Sequence, residues 1–383
     1  MKLLIITPYC IVPAVTGGQI RVFELARSVS QLGIRTTIAM PLTFNQISHV
    51  TIHSNLLLRP VPYPFILPLL FTDKPFSYNF LISLHPGYAK LLKKWIKTHD
   101  IIQFEGASFG DLTDTIPKDK IVVYDAHNVE FDYESGEGRS KWARSIAKKR
   151  IGSFEQKLVQ RANQILTCSE RDSERLAERY KKPLEKCCIV PNGIHLNKQS
   201  QQFNTKQMIK KFPGFLNFKK RAIFSGSNVA HNRVAVKFIV EDLAPKVQKE
   251  WAFLIRGPCG NPFKNQKVKN LFFDRTPGNV TPFADVCTAA VNPITQGSGT
   301  SLKVLDFLAS GLPVISTNFG MRGFEDLKKY VTIANLNQFG EALKNPLTYH
   351  PIIKKKLAKY EWTSIGKNLY NIYSSIMKSN FRK

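Results

Sequence analysis

The sequence predicts an α/β protein that contains two doubly wound parallel sheets in tandem. Three observations lead to this prediction. Short apolar runs alternate with segments whose apolar residues have helical spacing, the alternation is lost in a polar and basic stretch at residues 196–219, and a second alternating set follows that stretch. With 383 residues, the chain is long enough to bury a separate hydrophobic core in each half.

The first half opens with one complete β–α–β unit. KLLIITPY predicts a buried strand, the residues from Gln19 to Leu32 have near-helical apolar spacing that ends at Gly33, and RTTIAMPL predicts the next strand. Further strands are predicted by the segments DIIQFEG, KIVVYDAHN, QILTCSE and KCCIVPNGI. Strands separated by helices in this way favour a parallel sheet.

The second half repeats the pattern. Strands are predicted by the segments RAIFSG, WAFLIRG, VCTAAVNPI and LPVISTN, with a helix from about Asn232 to Val247 after the first of them. The final segment, from about Glu361, predicts a helix that places Ile365, Leu369, Ile372 and Ile376 on one side. We therefore expect a domain at residues 1–195, a linker at 196–219, a second domain at 220–358 and a terminal helix at 359–383.

Bulk composition limits the environment and the partners. The chain has 55 Lys and Arg against 28 Asp and Glu, a net charge of +27, which favours nucleic acid, an acidic membrane face or a phosphorylated ligand as partner, with an ordinary basic surface as the alternative. Six scattered cysteines without a C-x-x-C predict reduced thiols in a cytoplasmic protein, with no zinc site. Pro8 and Pro13 interrupt the first apolar run, which predicts a strand there and no signal peptide.

The stretch GSGTSLKVLDFLASGLPV, from Gly297 to Val314, predicts a glycine-rich loop, a helix ended by Gly311, and a strand. A helix that starts in such a loop leaves backbone N–H groups free to bind an anion. Lys303 would lie in the first turn and Asp306 one turn further on. A cation near phosphates and a carboxylate near sugar hydroxyls suggest a nucleotide, and an ordinary capped helix is the alternative. The candidate N-caps are Ser298, Thr300 and Ser301, and the expected core-facing residues are Leu302, Leu305 and Ala309.

Six motifs occur in a characteristic order along the chain: TGGQIRVFELARSVSQLG, DIIQFEG, YDAHNVE, TCSERDSERLAERY followed by IVPNGI, FSGSNVAHN, and ITQGSGTSLKVLDFLASGLPVIST. Each of them alone is weak. Together, in this order and spacing, they resemble the retaining glycosyltransferases of GT-B fold, family 4, the group often labelled glycosyl transferases group 1.

The resemblance implies a GT-B architecture, in which two Rossmann-like domains face each other across a cleft and a C-terminal helix crosses back to the N-terminal domain. The first domain would bind the acceptor and the second the nucleotide-sugar. The implied reaction moves a hexose-type sugar from a UDP- or GDP-type diphosphate sugar to a glycan or lipid-linked acceptor, with retention of anomeric configuration. Because the family generally works without a bound metal and the chain has no Asp-x-Asp, we expect no metal and no cofactor. Cations and helix dipoles would then neutralise the leaving diphosphate.

The same resemblance, with the residues themselves, predicts the site. His127, Lys303 and Asp306 are the expected catalytic residues, and Glu105 with His127 would bind the acceptor. A packed structural histidine is the alternative for His127, and a solvated strand end is the alternative for Arg256. The expected donor-binding residues are Gly17, Gly18, Gly226, Ser227, Asn232, Arg256, Ser298, Gly299, Thr300, Ser301, Lys303 and Asp306.

The chain also departs from the family pattern. Asp306 stands where the family usually has glutamate, and Ser298 replaces the family's first glutamate, eight residues earlier. The basic pair expected soon after FSGS is incomplete, because only Arg233 and, as a weaker candidate, His231 are present there. Lys303 would then supply the missing charge.

A basic and aromatic stretch between Pro75 and Lys97 suggests a membrane contact. Trp95 lies among Lys90, Lys93, Lys94 and Lys97, and the apolar segment from Val61 to Phe71 precedes it, so this region could rest on an anionic membrane and make the protein peripheral; a cytosolic surface helix is the alternative. Two other functions stay open: a GT-B sugar-nucleotide epimerase or catalytically silent GT-B partner subunit, and, more remotely, a basic nucleic-acid-binding protein, although zinc-finger spacing and RNP-like motifs are missing.

Overall fold

The computed structural model has two compact units. The first comprises Met1–Asn192 with Trp362–Lys383, and the second comprises Gly193–Glu361. The residues that it describes are 1–14, 16–41, 50–61, 86–133, 141–196, 205–263, 265–266, 268–276, 278, 280–297, 299–345 and 349–381.

The first unit contains an eight-stranded sheet. Its strands β1 to β8 are Lys2–Ile6, Arg35–Pro41, Val50–His53, Leu56–Val61, Ile101–Glu105, Ile121–Ala126, Gln164–Thr167 and Cys187–Ile189. They lie in the order β3-β4-β2-β1-β5-β6-β7-β8, and all neighbours are parallel except the pair β3-β4. Because the order reverses between β1 and β5, the loops that follow these two strands leave a crevice at the carboxyl edge of the sheet.

The helices of the first unit cover this sheet and close its core. They are α1 Gly17–Gln31, α2 Pro86–Ile96, α3 Glu130–Tyr133, α4 Lys141–Arg161, α5 Glu170–Tyr180 and the C-terminal helix Trp362–Phe381. Thr16 and Gln19 form a capping box at the start of α1, and Gly33, with a φ of 95°, follows its end.

The C-terminal helix belongs to the first unit, as the sequence predicts. Ile365 and Leu369 are buried in the first unit's core, and Ile372 and Ile376 pack partly buried against it. A side chain at Gly366 would stand 2.3 Å from Cβ of Ser28 on α1, so glycine allows the two helices to approach closely.

The second unit contains a six-stranded sheet in which all strands are parallel. Its strands β9 to β14 are Lys220–Ser225, Trp251–Arg256, Leu271–Asp274, Ala289–Asn292, Val314–Ser316 and Thr332–Ile333. Their order is β11-β10-β9-β12-β13-β14, so the direction of winding reverses between β9 and β12. Both sheets confirm the doubly wound prediction, and every strand named from the sequence is present. The strands β3, β4, β11 and β14 are additions to it.

The second unit's helices differ from expectation in the helix that follows β9 and in the segment expected to be a linker. They are α6 Thr205–Lys211, α7 Ala230–Phe238, α8 Leu302–Ala309, α9 Phe339–Ala342 and α10 Ile352–Leu357. The helix expected from Asn232 begins at Ala230 and continues after α7 through a π-helical turn, Ile239–Leu243, to a final turn, Ala244–Lys246.

The segment expected to be a linker contains α6 and packs into the second unit. Met208, Phe212 and Phe215 are buried in that unit's core. Their spacing of four and three residues is helical, and the surrounding lysines and glutamines obscured it. Residues 197–204 of the expected linker lie outside the described residues.

Helix α2 corrects the proposed membrane contact of Trp95. Trp95 and Leu92 are buried in the first unit's core, and the guanidinium of Arg59 lies 5.3 Å from the centroid of the Trp95 ring. Among the described side chains of α2, Leu92, Trp95 and Ile96 pack into this core, so Trp95 is not available to a membrane. The lysines at 90, 93, 94 and 97 are exposed, and residues 62–85 lie outside the described residues. Within the described part of the chain, none of the helices combines the length and the apolar character needed to cross a bilayer.

Candidate functional site

The candidate nucleotide site of the second unit lies at the carboxyl edge of its sheet, where the winding reverses. The loop after β9 leads into α7, and the loop after β12 leads into α8, as the stretch from Gly297 to Val314 predicts. Gly297 and Gly299 adopt φ values of 127° and 61°, which favour glycine. Gly311 has a φ of 80° and donates its N–H to the carbonyl of Leu308, which ends the helix as expected.

The start of α8 is not capped by a side chain. Ser301 is the N-cap residue, but its hydroxyl makes no capping hydrogen bond, and its backbone N–H donates to the carbonyl of Arg322 over 3.2 Å. Gly299 and Thr300 precede it in the same loop, and the methyl of Thr300 lies against Gly323. Ser298, the third expected N-cap, lies outside the described residues. The N–H groups of Ser301 and Leu302 therefore already have partners, and the helix start contributes a partial positive charge.

Helix α8 is rotated relative to the expected orientation. Its buried residues are Val304, Leu305, Phe307 and Leu308, whereas Leu302 and Ala309 are only partly buried. The prediction was therefore right for Leu305 and, in part, for Ala309, which packs against the core. Lys303 and Asp306 share a partly exposed face, and Asp306 lies one turn along the helix from Lys303.

Lys303 is held by uncharged groups. Its Nζ donates to Oδ1 of Asn232 over 2.5 Å and lies 4.5 Å from the centroid of the Phe224 ring. Burial is the main cause that lowers the pKa of Lys303 to about 7; Cys259 opposes the change and the charge of Arg322 adds to it. A phosphate placed here would supply the negative charge that this ammonium group needs.

Two more basic side chains lie beside the loop. A Cβ on Gly297 would stand 3.0 Å from Nδ1 of His231 and 3.2 Å from Nη2 of Arg322. Burial, together with the charges of Lys303, Arg322 and Arg233, lowers the pKa of His231 to about 4, so His231 is neutral near pH 7. Burial is the main cause of this shift, and the nearby cations Lys303, Arg322 and Arg233 add a local positive charge that suits an anionic ligand.

Asn232 connects the loop after β9 to Lys303. It is buried, and its Nδ2 donates to the carbonyl of Ser227 over 2.9 Å while its Oδ1 accepts from Lys303. A Cβ on Gly226 would stand 2.7 Å from the Asn232 amide, so the glycine makes room for it. The structure therefore brings together four of the expected donor-binding residues: Gly226, Ser227, Asn232 and Lys303.

Arg256 has a structural partner. It ends β10, is buried, and forms an ion pair with Asp274 at the end of β11; its guanidinium also lies 4.7 Å from the centroid of the Phe283 ring. Burial raises the pKa of Asp274, but hydrogen bonds from Lys211 and Thr276 and the charge of Arg256 outweigh burial and hold it below the ordinary value. Arg256 is therefore paired with the carboxylate of Asp274, and it is not part of the hydrogen bond between Lys303 and Asn232.

The candidate site of the first unit lies at the carboxyl ends of β1, β5 and β6. Nε2 of His127 lies 2.7 Å from Oε2 of Glu105, and Nδ1 of His127 lies 3.1 Å from the hydroxyl of Tyr9. Gly17 begins α1, and a Cβ on Gly18 would stand 2.9 Å from the Tyr9 hydroxyl and 3.3 Å from Nδ1 of His127. The structure therefore groups Gly18, Glu105 and His127, and adds Tyr9, which the sequence did not single out.

Glu105 is more deeply buried than His127. Glu105 is 1% exposed, whereas the side chain of His127 is 12% exposed. Burial raises the pKa of Glu105, and Asp125 raises it further, while hydrogen bonds from His127 and Gln103 lower it. Burial lowers the pKa of His127, but its hydrogen bond to Glu105 and the charges of Asp125 and Glu105 outweigh burial and raise it. The histidine is thus the exposed member of the pair.

A buried ion pair supports this site from within. Arg21 and Asp125 are almost completely buried and lie 2.8 Å apart, and Arg21 also donates to the carbonyl of Val190 over 2.8 Å. Oxygens of Glu105 and Asp125 and a ring nitrogen of His127 lie within 4.8 Å of one another, a grouping that could hold a metal ion. In the protein as described, Arg21 and His127 already face these two carboxylates.

Sequence reasoning missed Tyr9, Arg21, Asp125, Phe224 and Arg322. Asp125 lies two residues before His127 in a strand, and Arg21 lies in the first turn after Gly17-Gly18, so their positions held a signal. Arg322 follows β13, and only the pairing of β12 with β13 brings it near Gly297.

Two doubly wound units, each with polar groups at its carboxyl edge, define a protein of the GT-B class. Two family models agree with this: Glycosyltransferase Family 4 matches residues 15–198, and Glycosyl transferases group 1 matches residues 219–348. The chain therefore belongs to the family 4 type of GT-B glycosyltransferases, and it is a glycosyltransferase.

Solved structures show the same fold at low sequence identity. Sucrose-phosphate synthase from Thermosynechococcus elongatus matches with a TM-score of 0.74 and 12% identity, over 99% of this chain and 100% of that chain. Anabaena HepE in complex with UDP and glucose matches with a TM-score of 0.66 and 12% identity, over 98% and 100%. WaaG, a glycosyltransferase involved in lipopolysaccharide biosynthesis, matches with a TM-score of 0.61 and 15% identity, over 99% and 98%. No curated protein sequence matches the chain.

Proposed function

We propose that this glycosyltransferase moves a hexose-type sugar from a UDP- or GDP-type diphosphate sugar to a glycan or lipid-linked acceptor, with retention of configuration and without a metal. The observation that supports this most is the environment of Lys303. An ammonium group that contacts an amide oxygen and an aromatic face lies in the first turn of a helix that starts in a glycine loop. Such a site gains most from an anion with several charges.

The chemistry assigns a role to each part of the site. As the bond from the anomeric carbon to the diphosphate breaks, negative charge grows on phosphate oxygens, and donors already in place lower the barrier. Lys303 and the backbone amides of Gly299 and Thr300 would take this role, whereas the amide of Ser301 already donates to the carbonyl of Arg322. Asp306, one turn along α8, would bind ribose hydroxyls, and its side chain is one methylene shorter than the usual glutamate. These interactions would bind the donor through the second unit.

The first unit would supply the acceptor side. His127 is partly exposed, and its ring can donate or accept a hydrogen bond near neutral pH. Glu105 would act through His127, because its carboxylate is closed off from solvent. Anabaena HepE is described with UDP and glucose, and trehalose-6-phosphate from E. coli is described with UDP-2-fluoro glucose, which supports a nucleotide-sugar donor here as well.

A metal is not needed for charge balance in this proposal. Lys303, Arg322 and the start of α8 would face the diphosphate, while Arg21 and His127 face the carboxylates of the first unit. We further propose a cytoplasmic protein whose exposed lysines on α2, at positions 90, 93 and 94, and Lys97 after it contact an anionic membrane surface.

The donor is tested first by thermal shift with UDP, GDP, ADP and their sugars. We expect one uridine or guanosine diphosphate series to raise the melting temperature of the wild type and to lose this effect in Lys303→Met. Lys237→Met removes an exposed lysine of α7 in the same unit and serves as the control. If none of these nucleotides raises the melting temperature, the donor proposal is refuted.

The reaction is tested with the nucleotide-sugar that binds. A transferase consumes the donor only when an acceptor is present, whereas an epimerase converts it alone and a silent partner subunit leaves it unchanged. NMR of the product's anomeric proton decides between retention and inversion. Undiminished transfer in excess EDTA supports metal independence, and loss of transfer that is restored by a divalent cation contradicts it.

A further inference from the structure

Five side chains of the first unit form a continuous chain of hydrogen bonds that runs from the C-terminal helix through His127 to Tyr9. The hydroxyl of Tyr373 donates to Oε1 of Gln103, and Nε2 of Gln103 donates to Oε1 of Glu105 over 2.7 Å. Oε2 of Glu105 contacts Nε2 of His127 over 2.7 Å, and Nδ1 of His127 contacts the Tyr9 hydroxyl over 3.1 Å. Tyr373, Gln103 and Glu105 are almost completely buried, so water does not compete with these contacts.

The donors and acceptors fix the direction of this chain. A tyrosine hydroxyl has one proton, and Tyr373 gives it to the amide oxygen of Gln103, which leaves the amide NH2 to face Glu105. Glu105 then accepts on Oε1. An ionised carboxylate can only accept, so it also accepts on Oε2, and the proton of that contact must come from Nε2 of His127. Nδ1 is left to accept from Tyr9 or to take a second proton.

The charge of an ionised Glu105 can be balanced within this cluster. The buried pair of Arg21 and Asp125 is neutral in sum, so one further buried carboxylate needs a proton or a cation nearby. Protonation of Nδ1 would make His127 that cation, with Nε2–H still directed at Glu105. In both protonation states of His127, the same ring nitrogen faces the carboxylate.

We propose that Glu105 is a positioning residue that keeps a proton on Nε2 of His127, and that the C-terminal helix orients Glu105 through Tyr373 and Gln103. This inference rests on the proposed role of His127 in transfer. It assigns the C-terminal helix a task beyond packing, because removal of one buried hydroxyl on that helix changes the tautomer of a ring at the other end of the chain. Nδ1 and the Tyr9 hydroxyl, which converge beside Gly18, are then the atoms that meet the substrate.

The protonation of His127 depends on every charged or titratable group packed around it. Glu105 on β5 and Asp125 on β6 favour the cation, and Arg21 on α1 disfavours it. The pKa values of Tyr9 and Tyr373 lie well above the ordinary value because of burial, so both stay neutral over the working range. Removal of the Glu105 charge must therefore lower the pKa of His127. Among the described residues, two more titratable groups lie near this cluster: Cys168 interacts with Arg21, and Glu130 interacts with Tyr9.

The test combines NMR with kinetics on the full chain. Two-bond proton–nitrogen spectra of protein labelled in the histidine ring report the tautomer and the titration of His127, which His127→Asn identifies by loss of its signal. The informative variants are Glu105→Gln and Tyr373→Phe. Tyr370→Phe removes a partly buried hydroxyl from the same helix and is the matched control.

We expect His127 of the wild type to carry its proton on Nε2 when neutral. Glu105→Gln should lower the pKa of His127 and reduce kcat by about 10- to 100-fold, with nucleotide Kd unchanged, because the loss is that of one charge-assisted hydrogen bond in the first unit. Tyr373→Phe should raise the fraction of the Nδ1–H tautomer and reduce kcat by a smaller factor, and Tyr370→Phe should match the wild type.

The inference is overturned if Glu105→Gln leaves the tautomer and the titration of His127 as in the wild type, or if Tyr373→Phe has no more effect than Tyr370→Phe. The NMR measurement needs no turnover. It therefore decides the positioning role even if the wild type transfers no sugar, an outcome that would contradict the proposed function alone.

Discussion

Replacement of Lys303 by methionine should have opposite effects on nucleotide binding and on the stability of the free protein. Lys303 lies between the Asn232 amide, 2.5 Å away, and the face of Phe224, and its pKa falls from 10.5 to about 7 because of burial. The free protein therefore pays a desolvation penalty whenever this group is charged. Methionine keeps most of the volume and removes that penalty together with the charge.

The effect on binding follows from the lost charge. A charge-assisted hydrogen bond contributes about 1.5 to 3 kcal/mol, so Lys303→Met should weaken nucleotide-sugar binding by about 10- to 100-fold at pH 6.5. In the wild type, affinity should be full below pH 7 and should fall by up to about tenfold per pH unit above it, because binding then requires uptake of a proton. His231 does not interfere, since its pKa of about 4 leaves it neutral throughout this range.

The effect on stability has the opposite sign. Between pH 7 and 10.5 the unfolded chain holds a proton on Lys303 that the folded protein does not, so this group makes folding more favourable as pH rises, by up to about 1.4 kcal/mol per pH unit. Lys303→Met lacks this dependence. The difference in the pH dependence of unfolding free energy between wild type and variant isolates it from all other groups, and urea unfolding at several pH values measures it.

Calorimetric titration in buffers of different ionisation enthalpy measures the proton uptake directly. A nucleotide-sugar is the suitable ligand, because its diphosphate keeps a constant charge over this range. Affinity that is independent of pH between 6 and 9, or undiminished binding by Lys303→Met, would refute the reasoning. A variant that binds weakly because it is unfolded would be recognised by its urea transition.

Three further outcomes are expected. Gly18→Ala places a methyl group 2.9 Å from the Tyr9 hydroxyl and should lower kcat about tenfold, whereas Gly340→Ala, which meets nothing within 4 Å, should behave as wild type; equal kcat values would contradict this. Asp125→Asn leaves Arg21 buried without a carboxylate and should cost about 3 to 5 kcal/mol in urea unfolding, a loss that the exposed control Asp119→Asn should not show. Replacement of the lysines at 93, 94 and 97 by glutamine should weaken binding to anionic vesicles about 100-fold at low salt. The control is the same replacement of the exposed lysines at 354, 355 and 356 on α10, which should have little effect. Failure of the wild type to bind such vesicles rules out the membrane contact.

Local sequence patterns predicted a large part of the fold and some of the site. Most buried parallel strands are continuous apolar runs and were predicted from them, but β4 and β11 were missed although they begin with the short apolar runs LLL and LFF. Strand β3 was missed because its residues are exposed, and α6 because three helically spaced apolar residues lie among lysines and glutamines. Trp95 illustrates the limit: an aromatic residue among lysines fits a surface or a core equally well, and only the packing of α2 shows that it is buried.

The sequence by itself determined the features that depend on neighbouring residues along the chain. These include the alternation of strands and helices, the glycine loop that opens α8 with its end at Gly311, and the placement of Lys303 in the first turn. Backbone geometry and apolar spacing suffice for these, because they act over one or two turns.

Only the tertiary structure decided which residues far apart in sequence contact one another. The pairing of β1, β5 and β6 brings Tyr9, Glu105 and His127 together, and the C-terminal helix adds Tyr373, 270 residues away from Gln103. The same applies to Asn232 and Lys303, which are separated by 71 positions. Protonation and charge depend on distance and burial in space, and a pattern read along the chain contains neither.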